Sequence, residues 1–529
     1  MSGRPTVAHL LAPSLQAACR QWADRSAITF EGTTLTYAEV GRGVARLAAA
    51  YRRLGIGAGD RVVCQLPNSP EHVLAINAAW AVGAIHVGTD TALTGPELAW
   101  LVERTGAAAL LFRPHPAAAD PLAPVRAVRA ASAETRLIVS GPFADGSTHR
   151  LEDLLAGPDE LGDWSPPHAH DDTAHLLLTS GTTGRPKAVM ESLPACWAKM
   201  QFFVDAFRPG PDDVHLLYLP MAHVFGLRLS MLALLSGGRL VVAERFSPRG
   251  ALRLVTAERV TVLPGMPAHF TLLFDALDPG QHRVASLRWA ISAASTLPQP
   301  LVEQIYERLG VELLYVYGCS ENFTVQTTDR DDILHGSVGR QVFKGPAGTP
   351  PDGTVVILEP GGDVALPAGE VGEIAFGAAH PVHYWKDADA ATDGWYRTGD
   401  LGRIDPDGAL YIVGRLKELI NRGGLHVSPS EVETAVRLHP GVADSAVLAT
   451  PNPVLGEAVC ACVVPGEGGA PDLAELRDFL APVLARHKLP DELCVLDAGP
   501  RTKSGKVDRP LLRAAVLDEG LPRQRWRSP

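Results

Sequence analysis

Short apolar runs alternate with longer segments of helical periodicity along most of the chain. Residues 37–54 carry apolar side chains at three- and four-residue spacing and stop at Gly55, which predicts a helix. Residues 61–66 then predict a buried strand, and residues 69–82 predict a second helix. Because strands and helices keep alternating, we expect parallel sheets covered by helices. Further strands are predicted at residues 108–112, 136–139, 216–219, 238–243, 260–263, 290–292 and 313–317.

The pattern changes twice toward the C-terminus. From residue 354 to 412 the strands become shorter and Gly/Pro-rich turns dominate, which indicates a β-rich subdomain. After Arg415 the α/β alternation returns over a length sufficient for a small separate domain. Its predicted elements are a helix at 429–438, strands at 444–450 and 458–465, and a helix at 472–486.

Composition narrows the functional class. A chain of 529 residues exceeds what one core usually organises, so two or more domains are expected. The net charge of −11 argues against nucleic acid as the main partner. The seven cysteines are scattered and contain no C-x-x-C pair, which favours a reducing, cytoplasmic location. Residues 1–24 do not resemble a signal peptide, and the longest apolar run, 75–87, is too short for an integral membrane segment.

The segment 178–187 carries the most chemical information. An apolar run at 175–178 leads into hydroxyl and glycine residues that can turn tightly and direct N–H and O–H groups at phosphate oxygens. The P-loop spacing is absent, and a polar surface loop is the alternative interpretation. The candidate phosphate-binding residues are Thr179, Ser180, Gly181, Thr182, Thr183, Gly184 and Lys187.

Two acidic residues follow predicted strands. Glu321 comes after the strand at 313–317, at the strand end where open α/β sheets bind ligands, and it suits Mg²⁺. A helix-capping role is the alternative. Asp400, in the segment 396–400, could accept hydrogen bonds from both hydroxyls of a ribose, and a simple turn between strands is the alternative.

Four further residues are candidates for a role in the site. Arg415 could reach a nucleotide, and Lys417 falls where a hinge between domains is expected. Lys506, in the Gly-containing segment 503–507, is a suitable cation for a developing pyrophosphate charge. His223 follows a buried strand. For each of them an ordinary surface or packing role remains open.

Taken together, the order and spacing of these motifs resemble the adenylate-forming superfamily of acyl-CoA synthetases, peptide-synthetase adenylation domains and firefly-type luciferases. The resemblance covers residues 36–509. It implies an α/β fold with a large N-terminal domain over residues 1–416, built from two parallel-sheet αβαβα halves and a β-barrel-like subdomain. It also implies a small mobile C-terminal α/β domain over residues 417–529.

The resemblance implies ATP, Mg²⁺ and coenzyme A as ligands and a small carboxylic acid as substrate. The segment 179–187 is expected to clamp the ATP phosphates, and Glu321 to hold Mg²⁺. Lys506 is expected to contact the substrate carboxylate and the α-phosphate, and Lys417 to be the pivot of the C-terminal domain. The remaining nucleotide and CoA contacts implied are Ala293, Ala294, Ser295, Tyr317, Gly318, Ser320, Asp400, Arg415, Gly423 and Gly424.

The acid pocket is expected to be mostly apolar, which suggests a hydrophobic or bulky acid. His223 is expected to border the path of the pantetheine arm and to share in catalysis. Arg228 could pair with a second acidic group of the substrate, or it could point to solvent. The predicted pocket residues are His223, Phe225, Arg228, Ser292, Gly318 and Phe323.

The segment 420–433 resembles CoA ligases more than peptide-synthetase domains, so CoA is the expected acceptor, with a separate carrier protein as an alternative. Several positions depart from the family pattern, which raises the second hypothesis that adenylation is weak and that the enzyme thioesterifies an adenylate made elsewhere. A non-catalytic binding relative is the third alternative. The departures are Ala188, Ala293, Ala294, Cys319, Ser320 and His383.

Overall fold

We describe the fold from a computed structural model of the chain. It describes residues 14–115, 118, 120–142, 146, 148–158, 164, 173–179, 187–321, 323–340, 355–377, 382–392, 395–466, 468–497, 508–518 and 520–526.

The strands are numbered in chain order. The first fifteen are β1 Ser26–Phe30, β2 Thr33–Thr36, β3 Arg61–Gln65, β4 Ile85–Gly88, β5 Ala109–Phe112, β6 Arg136–Val139, β7 His149–Arg150, β8 Thr173–Thr179, β9 Lys187–Ser192, β10 Val214–Leu217, β11 Arg239–Val242, β12 Val262–Gly265, β13 Trp289–Ser292, β14 Glu312–Gly318 and β15 Phe323–Thr327. The others are β16 Ser337–Arg340, β17 Val355–Leu358, β18 Gly372–Gly377, β19 Val382–Tyr384, β20 Asp387–Thr392, β21 Trp395–Ile404, β22 Ala409–Arg415, β23 Ile420–Arg422, β24 Leu425–Val427, β25 Val442–Asn452, β26 Gly456–Pro465, β27 Glu492–Val495 and β28 Arg523–Arg525.

The helices are numbered in the same way. They are α1 Leu15–Gln21, α2 Tyr37–Arg53, α3 Pro70–Ala81, α4 Gly95–Thr105, α5 Ala123–Ala131, α6 Leu151–Leu155, α7 Leu193–Phe207, α8 Val224–Leu235, α9 Pro248–Glu258, α10 Pro267–Ala276, α11 Gln299–Leu309, α12 Arg330–Leu334, α13 Pro429–Val436, α14 Leu473–Leu480 and α15 Arg509–Leu517.

Local signals determine where the predicted helices begin. The Thr36 hydroxyl accepts the backbone N–H of Glu39, while the Glu39 carboxylate accepts the N–H of Thr36, so α2 starts with a capping box. At the start of α3, the Ser69 hydroxyl accepts the N–H of His72, and Pro70 occupies a position that needs no N–H. Both helices therefore agree with the periodicity of the sequence.

Two large sheets form the N-terminal part of the chain. One has eight strands in the order β15-β14-β13-β12-β10-β11-β1-β2, and the other has nine in the order β20-β19-β9-β8-β4-β3-β5-β6-β7. Central neighbours such as β12 and β13, or β3 and β4, run parallel. The edge strands β2, β15 and β20 pair antiparallel with their neighbours. The α/β architecture predicted from the alternating pattern is confirmed.

Most of the β-rich segment predicted at 354–412 lies in a five-stranded antiparallel sheet with the order β16-β22-β21-β18-β17, whereas β19 and β20 from the same segment extend the nine-stranded sheet. β22 continues into a short 3-10 turn at Leu416–Glu418. Beyond that turn, the order β24-β23-β26-β27-β28 describes a further sheet, in which β25 pairs with β26. Among the described residues, no helix combines the length and apolarity that a membrane crossing needs.

The C-terminal sheet has apolar clusters of its own. One contains Val432, Val447 and Leu476, and another contains Cys462 and Leu512. Both are distinct from the main core of the large sheets. This separation agrees with a smaller C-terminal domain, while its boundary at residue 417 stays a prediction.

One predicted helix is shorter than expected. The pattern predicts a helix over residues 472–486, but α14 ends at Leu480 and a separate 3-10 turn follows at Arg486–Lys488. Pro482 explains the difference, because proline disfavours helical backbone at the residue before it and cannot donate a helical hydrogen bond.

A close backbone approach holds α8 against the end of β10. A Cβ atom on Gly226 would clash with the Pro220 carbonyl oxygen and would lie 2.6 Å from the carbonyl oxygen of Leu219. Both obstacles are backbone atoms, so they cannot rotate away. The position of α8, which begins next to His223, therefore depends on this glycine.

We expect Gly226→Ala to lower the free energy of unfolding by about 1–3 kcal/mol, because the added methyl forces backbone atoms apart. Urea unfolding monitored by circular dichroism measures the change. Gly57→Ala is the matched control, because a Cβ there meets no atom within 4 Å. Equal stability losses in the two variants would contradict this explanation.

Candidate active site

The predicted phosphate-binding segment joins two antiparallel strands. Thr179 closes β8 and pairs with Lys187, which opens β9. The strand predicted at 175–178 lies within β8 and is confirmed. The candidate residues between the two strands, Ser180, Gly181, Thr182, Thr183 and Gly184, lie outside the described residues, as does Lys506.

Tyr384 brings Lys187 and Glu321 together. Its hydroxyl donates to Oε1 of Glu321 at 2.9 Å, and the ammonium of Lys187 lies 5.1 Å from its ring centroid. Tyr384 reaches this position because β19 pairs with β9, with Tyr384 opposite Val189. Lys187 also lies 3.7 Å from a carboxylate oxygen of Asp387. The predicted metal ligand and the end of the phosphate segment therefore share one contact residue.

A second tyrosine orients Asp400. The Tyr317 hydroxyl donates to Oδ2 of Asp400 at 2.7 Å, and Nε of Arg415 lies 2.8 Å from Oδ1. The register of β21 and β22 places Asp400 directly opposite Arg415. Burial and the adjacent Asp400 carboxylate raise the pKa of Tyr317, so its phenol stays a donor. Tyr317 thus joins two residues of one strand pair, which lie 83 or more residues later in the sequence, in one connected group.

The predicted adenine-lining segment follows β13. Tyr315 anchors it, since its hydroxyl accepts the Leu297 N–H at 3.1 Å and donates to the Ser295 carbonyl at 3.3 Å. Ala293 is buried, whereas Ala294 is exposed and has a left-handed φ of +75°. That conformation favours glycine, so the alanine at position 294 stores backbone strain.

Arg228 is fully buried, and the interpretation that it points to solvent is wrong. Its Nη2 atom lies 2.5 Å from Oε1 of Glu191, and Nη1 donates to the carbonyl oxygen and sulfur of Cys196. The reason is that α8 is buried from Phe225 to Leu235, which leaves Arg228 no route to water. Burial alone would raise the pKa of Glu191, but Arg228 and Lys199 outweigh burial and lower it to about 2.

Lys199 connects this buried pair to Glu321. Its ammonium donates to Oε1 of Glu191 at 2.8 Å and to the Glu321 backbone carbonyl at 2.9 Å. Glu191 lies on β9, Lys199 on α7 and Glu321 just after β14. One ion-pair network therefore reaches from the interior to the backbone of the proposed metal ligand.

The other predicted pocket residues occupy varied environments. His223 is exposed beside the first residue of α8, and Phe225 is buried one position into that helix. Ser292 is fully buried at the end of β13, and its hydroxyl has no hydrogen-bond partner among the described residues. Gly318 pairs with Phe323 across β14 and β15. Ser320 is half-buried in the following turn.

The predicted C-terminal residues lie at turns. Lys417 is exposed in the 3-10 turn at Leu416–Glu418. Gly423 and Gly424 connect β23 to β24 with φ angles of +61° and +88°, values that favour glycine. The Gly424 N–H donates to the Asn421 side chain at 3.0 Å. Both glycines therefore have a structural reason beside the proposed contact with CoA.

Two protein-family models match this chain. A model described as AMP-binding enzyme matches residues 15–382, and one described as AMP-binding enzyme C-terminal domain matches residues 431–506. The chain belongs to the AMP-binding enzyme family.

Individual relatives align with this chain over nearly its whole length. Triostin synthetase I of Streptomyces triostinicus is 33% identical over 97% of this chain and 95% of its own length. Feruloyl-CoA synthase of an Amycolatopsis species is 32% identical over 91% of this chain and 94% of its own. ATP-bound MatB from Rhodopseudomonas palustris has a TM-score of 0.82 at 29% identity, covering 96% of this chain and 99% of that one.

These matches confirm the predicted superfamily, the fold with a large N-terminal and a smaller C-terminal domain, and an AMP-forming acid–thiol ligase. They also support binding of ATP or AMP by this AMP-binding enzyme.

Sequence reasoning missed three residues of the site. Tyr384 has no motif of its own, and its role depends on the pairing of β19 with β9. Glu191 and Lys199 did carry a signal, because charged residues inside apolar segments are usually paired. Their partners lie in other elements, so the pairing itself was not visible.

We expect Ala294→Gly to raise the free energy of unfolding by about 0.5–1 kcal/mol, because it relieves a left-handed alanine at some cost in chain entropy. Thermal unfolding measures the change. Ala293→Gly is the control, since its φ is not left-handed and its side chain is buried, so stability should fall. A loss in both variants would contradict the strain.

The buried ion pair gives a second prediction for the enzyme. Glu191→Gln should cost about 3–5 kcal/mol of stability, because it leaves the Arg228 guanidinium buried without its carboxylate. Chemical denaturation of the purified enzyme measures the loss. Asp212→Asn, which breaks the exposed pair with Arg25, is the control and should cost under about 1 kcal/mol.

A double variant, Glu191→Leu with Arg228→Leu, separates charge from packing. It should recover most of the stability lost by Glu191→Gln, because neither side chain is then charged. If the double variant is as unstable as the single one, the loss does not come from the unpaired guanidinium of Arg228.

Proposed function

We propose that this AMP-forming ligase activates a hydrophobic or bulky carboxylic acid as its acyl-adenylate and transfers the acyl group to coenzyme A. The observation that carries this proposal is the contact of Lys187 and Glu321 with the same residue, Tyr384. Transfer of an adenylyl group from ATP to a carboxylate needs a cation and a metal-binding carboxylate close together, because the attacking carboxylate and the ATP are both anions.

The nucleotide contacts follow from the second group. Asp400 presents a carboxylate that Tyr317 and Arg415 hold in place, which suits two ribose hydroxyls. The segment 179–187 binds the β- and γ-phosphates. The remaining proposed nucleotide contacts are Ala293, Ala294, Ser295, Gly318 and Ser320.

Mg²⁺ fits the residues present. Glu321 offers a carboxylate of which Tyr384 contacts Oε1, and Mg²⁺ prefers one or two carboxylates together with phosphate oxygens. When bound, Mg²⁺ neutralises charge on the phosphates. Lys199 donates to the Glu321 backbone carbonyl and Tyr384 donates to its carboxylate, so these two contacts together orient the carboxylate.

The reaction proceeds in two steps. A carboxylate oxygen of the acid attacks the α-phosphorus, and the bond to pyrophosphate breaks, while Lys506 contacts both the carboxylate and the α-phosphate. The CoA thiolate then attacks the acyl carbon and AMP leaves. We propose that the C-terminal domain turns about Lys417 between the steps, which brings Gly423 and Gly424 to the pantetheine arm beside His223.

Phe225 supplies buried apolar surface beside the proposed acid pocket. Because Arg228 already pairs with Glu191, it is less suited to a second acidic group on the substrate. The feruloyl-CoA synthase relative makes aryl acids the first group to test, followed by fatty, alicyclic and terpenoid acids.

Pyrophosphate release measured without CoA tests the first step. With ATP, Mg²⁺ and a panel of acids, the wild-type enzyme should release pyrophosphate with at least one acid, and adding CoA should give its thioester by mass. Lys506→Ala should reduce release at least about 100-fold, because it removes the cation at the α-phosphate. Lys503→Ala, in the same segment, is the matched control and should keep activity.

The alternatives give different results. A thioesterification-only enzyme releases no pyrophosphate yet converts a synthetic acyl-adenylate and CoA to the thioester. A carrier-loading enzyme releases pyrophosphate but transfers only to a phosphopantetheine-bearing carrier. A non-catalytic relative does neither, and that result would overturn the proposed function.

A further inference from the structure

Three histidines and one cysteine, residue types that commonly bind metal ions, are buried around three strands of the nine-stranded sheet. Cys64 lies on β3, His86 on the neighbouring β4 and His175 on β8, while His72 projects from α3, which packs on the same strands. Cys64, His72 and His175 are 0% exposed, and His86 is 2% exposed. The proposed ligase mechanism uses none of them.

Sheet register brings these side chains to one face. His86 pairs with His175 across β4 and β8, and it pairs with Val62 across β4 and β3, two residues before Cys64. Residues two apart in a strand share a face. His86, His175 and Cys64 therefore point the same way, and α3 adds His72 from its side of that face.

The distances suit a single ion. One ligand atom from each of Cys64, His72 and His86 lies within 4.8 Å of the others. Tetrahedral zinc, with bonds of about 2.0–2.3 Å, holds its ligand atoms roughly 3.3–3.8 Å apart. The ring centroids are 5.9 Å apart for His72 and His86 and 6.2 Å apart for His86 and His175. The ligand atoms of His175 lie outside this group of three, so its ring must rotate to reach the same ion.

The ring nitrogens lack partners. Among the described residues, Nε2 of His72, Nε2 of His86 and both nitrogens of His175 are buried without a hydrogen bond. Each buried unpaired polar atom costs about 1–3 kcal/mol. Nδ1 of His72 faces the Pro67 carbonyl at 3.3 Å, the backbone contact that typically orients a metal-bound histidine and leaves Nε2 for the ion.

A neighbouring group is less suitable. His175, Glu191 and Cys196 are also close together. However, Arg228 binds both Glu191 and Cys196, and Lys199 binds Glu191. Two cations already occupy the acidic side, so a metal ion there meets electrostatic repulsion. His175 is therefore better suited to bind an ion together with Cys64 than one beside Glu191.

We propose that Cys64, His72 and His86 form a buried site for zinc, with His175 as the fourth ligand after rotation of its ring. As the zinc–sulfur bond forms during folding, the S–H bond of Cys64 breaks and its proton passes to solvent water, and the three histidines bind as neutral rings. The site joins β3, β4, β8 and α3 and is independent of the proposed ligase function.

Metal content tests the site in the full chain. Because the ligands are buried, zinc enters during folding, so the protein is produced with added zinc and washed with a chelator. Mass spectrometry of the metal should find about one zinc per chain in the wild type. Cys64→Val and His86→Val should retain less than about a fifth of that amount. Cys19→Val is the control, since Cys19 is buried elsewhere, and it should keep full content.

Cobalt substitution reports the ligands directly. Protein refolded with Co²⁺ should show thiolate-to-cobalt absorption that disappears in Cys64→Val. Wild-type protein with no zinc or cobalt after both preparations would overturn the proposal, whether or not the variants fold, and would leave ordered water as the partner of the histidines. Equal metal content in wild type and both variants would also overturn it, because the ion would then lie elsewhere.

Discussion

The buried carboxylate of Glu191 is the constraint on which the candidate site depends. It lies on β9 in the nine-stranded sheet, while Arg228 comes from α8, which packs against the eight-stranded sheet. Lys199 links the pair to the backbone of Glu321. A buried charge is stable only when paired, so these side chains hold the two sheets in one relative position.

Two tyrosines orient carboxylates that are proposed to bind the nucleotide and its metal ion. Tyr384 donates to Glu321, and Tyr317 donates to Asp400. In both tyrosines, burial and the adjacent carboxylate raise the pKa, so the phenol remains a hydrogen-bond donor. At Glu321 the orienting phenol is neutral and leaves the negative charge of the carboxylate available, whereas Asp400 is also paired with the Arg415 guanidinium.

Elements with strong local signals were predictable. The two helices and the strands that were predicted before residue 317 follow from periodicity, capping residues and proline, and α14 deviated because Pro482 breaks its pattern. The environment of Arg228 was not predictable, because its partner Glu191 stands 37 residues earlier on another element. Tyr384 and Glu321 are 63 residues apart, and the pairing of β19 with β9 brings them together.

The chain alone thus specifies its elements, its order of motifs and its resemblance to adenylate-forming enzymes, because backbone preference and motif chemistry depend on near neighbours. The folded molecule decides which charges pair and which ligands meet. Cys64, His72, His86 and His175 are unremarkable in the sequence, and the strand order β8-β4-β3 gathers them. Strand order depends on which apolar faces can be buried together, a property of the whole chain and of no single segment.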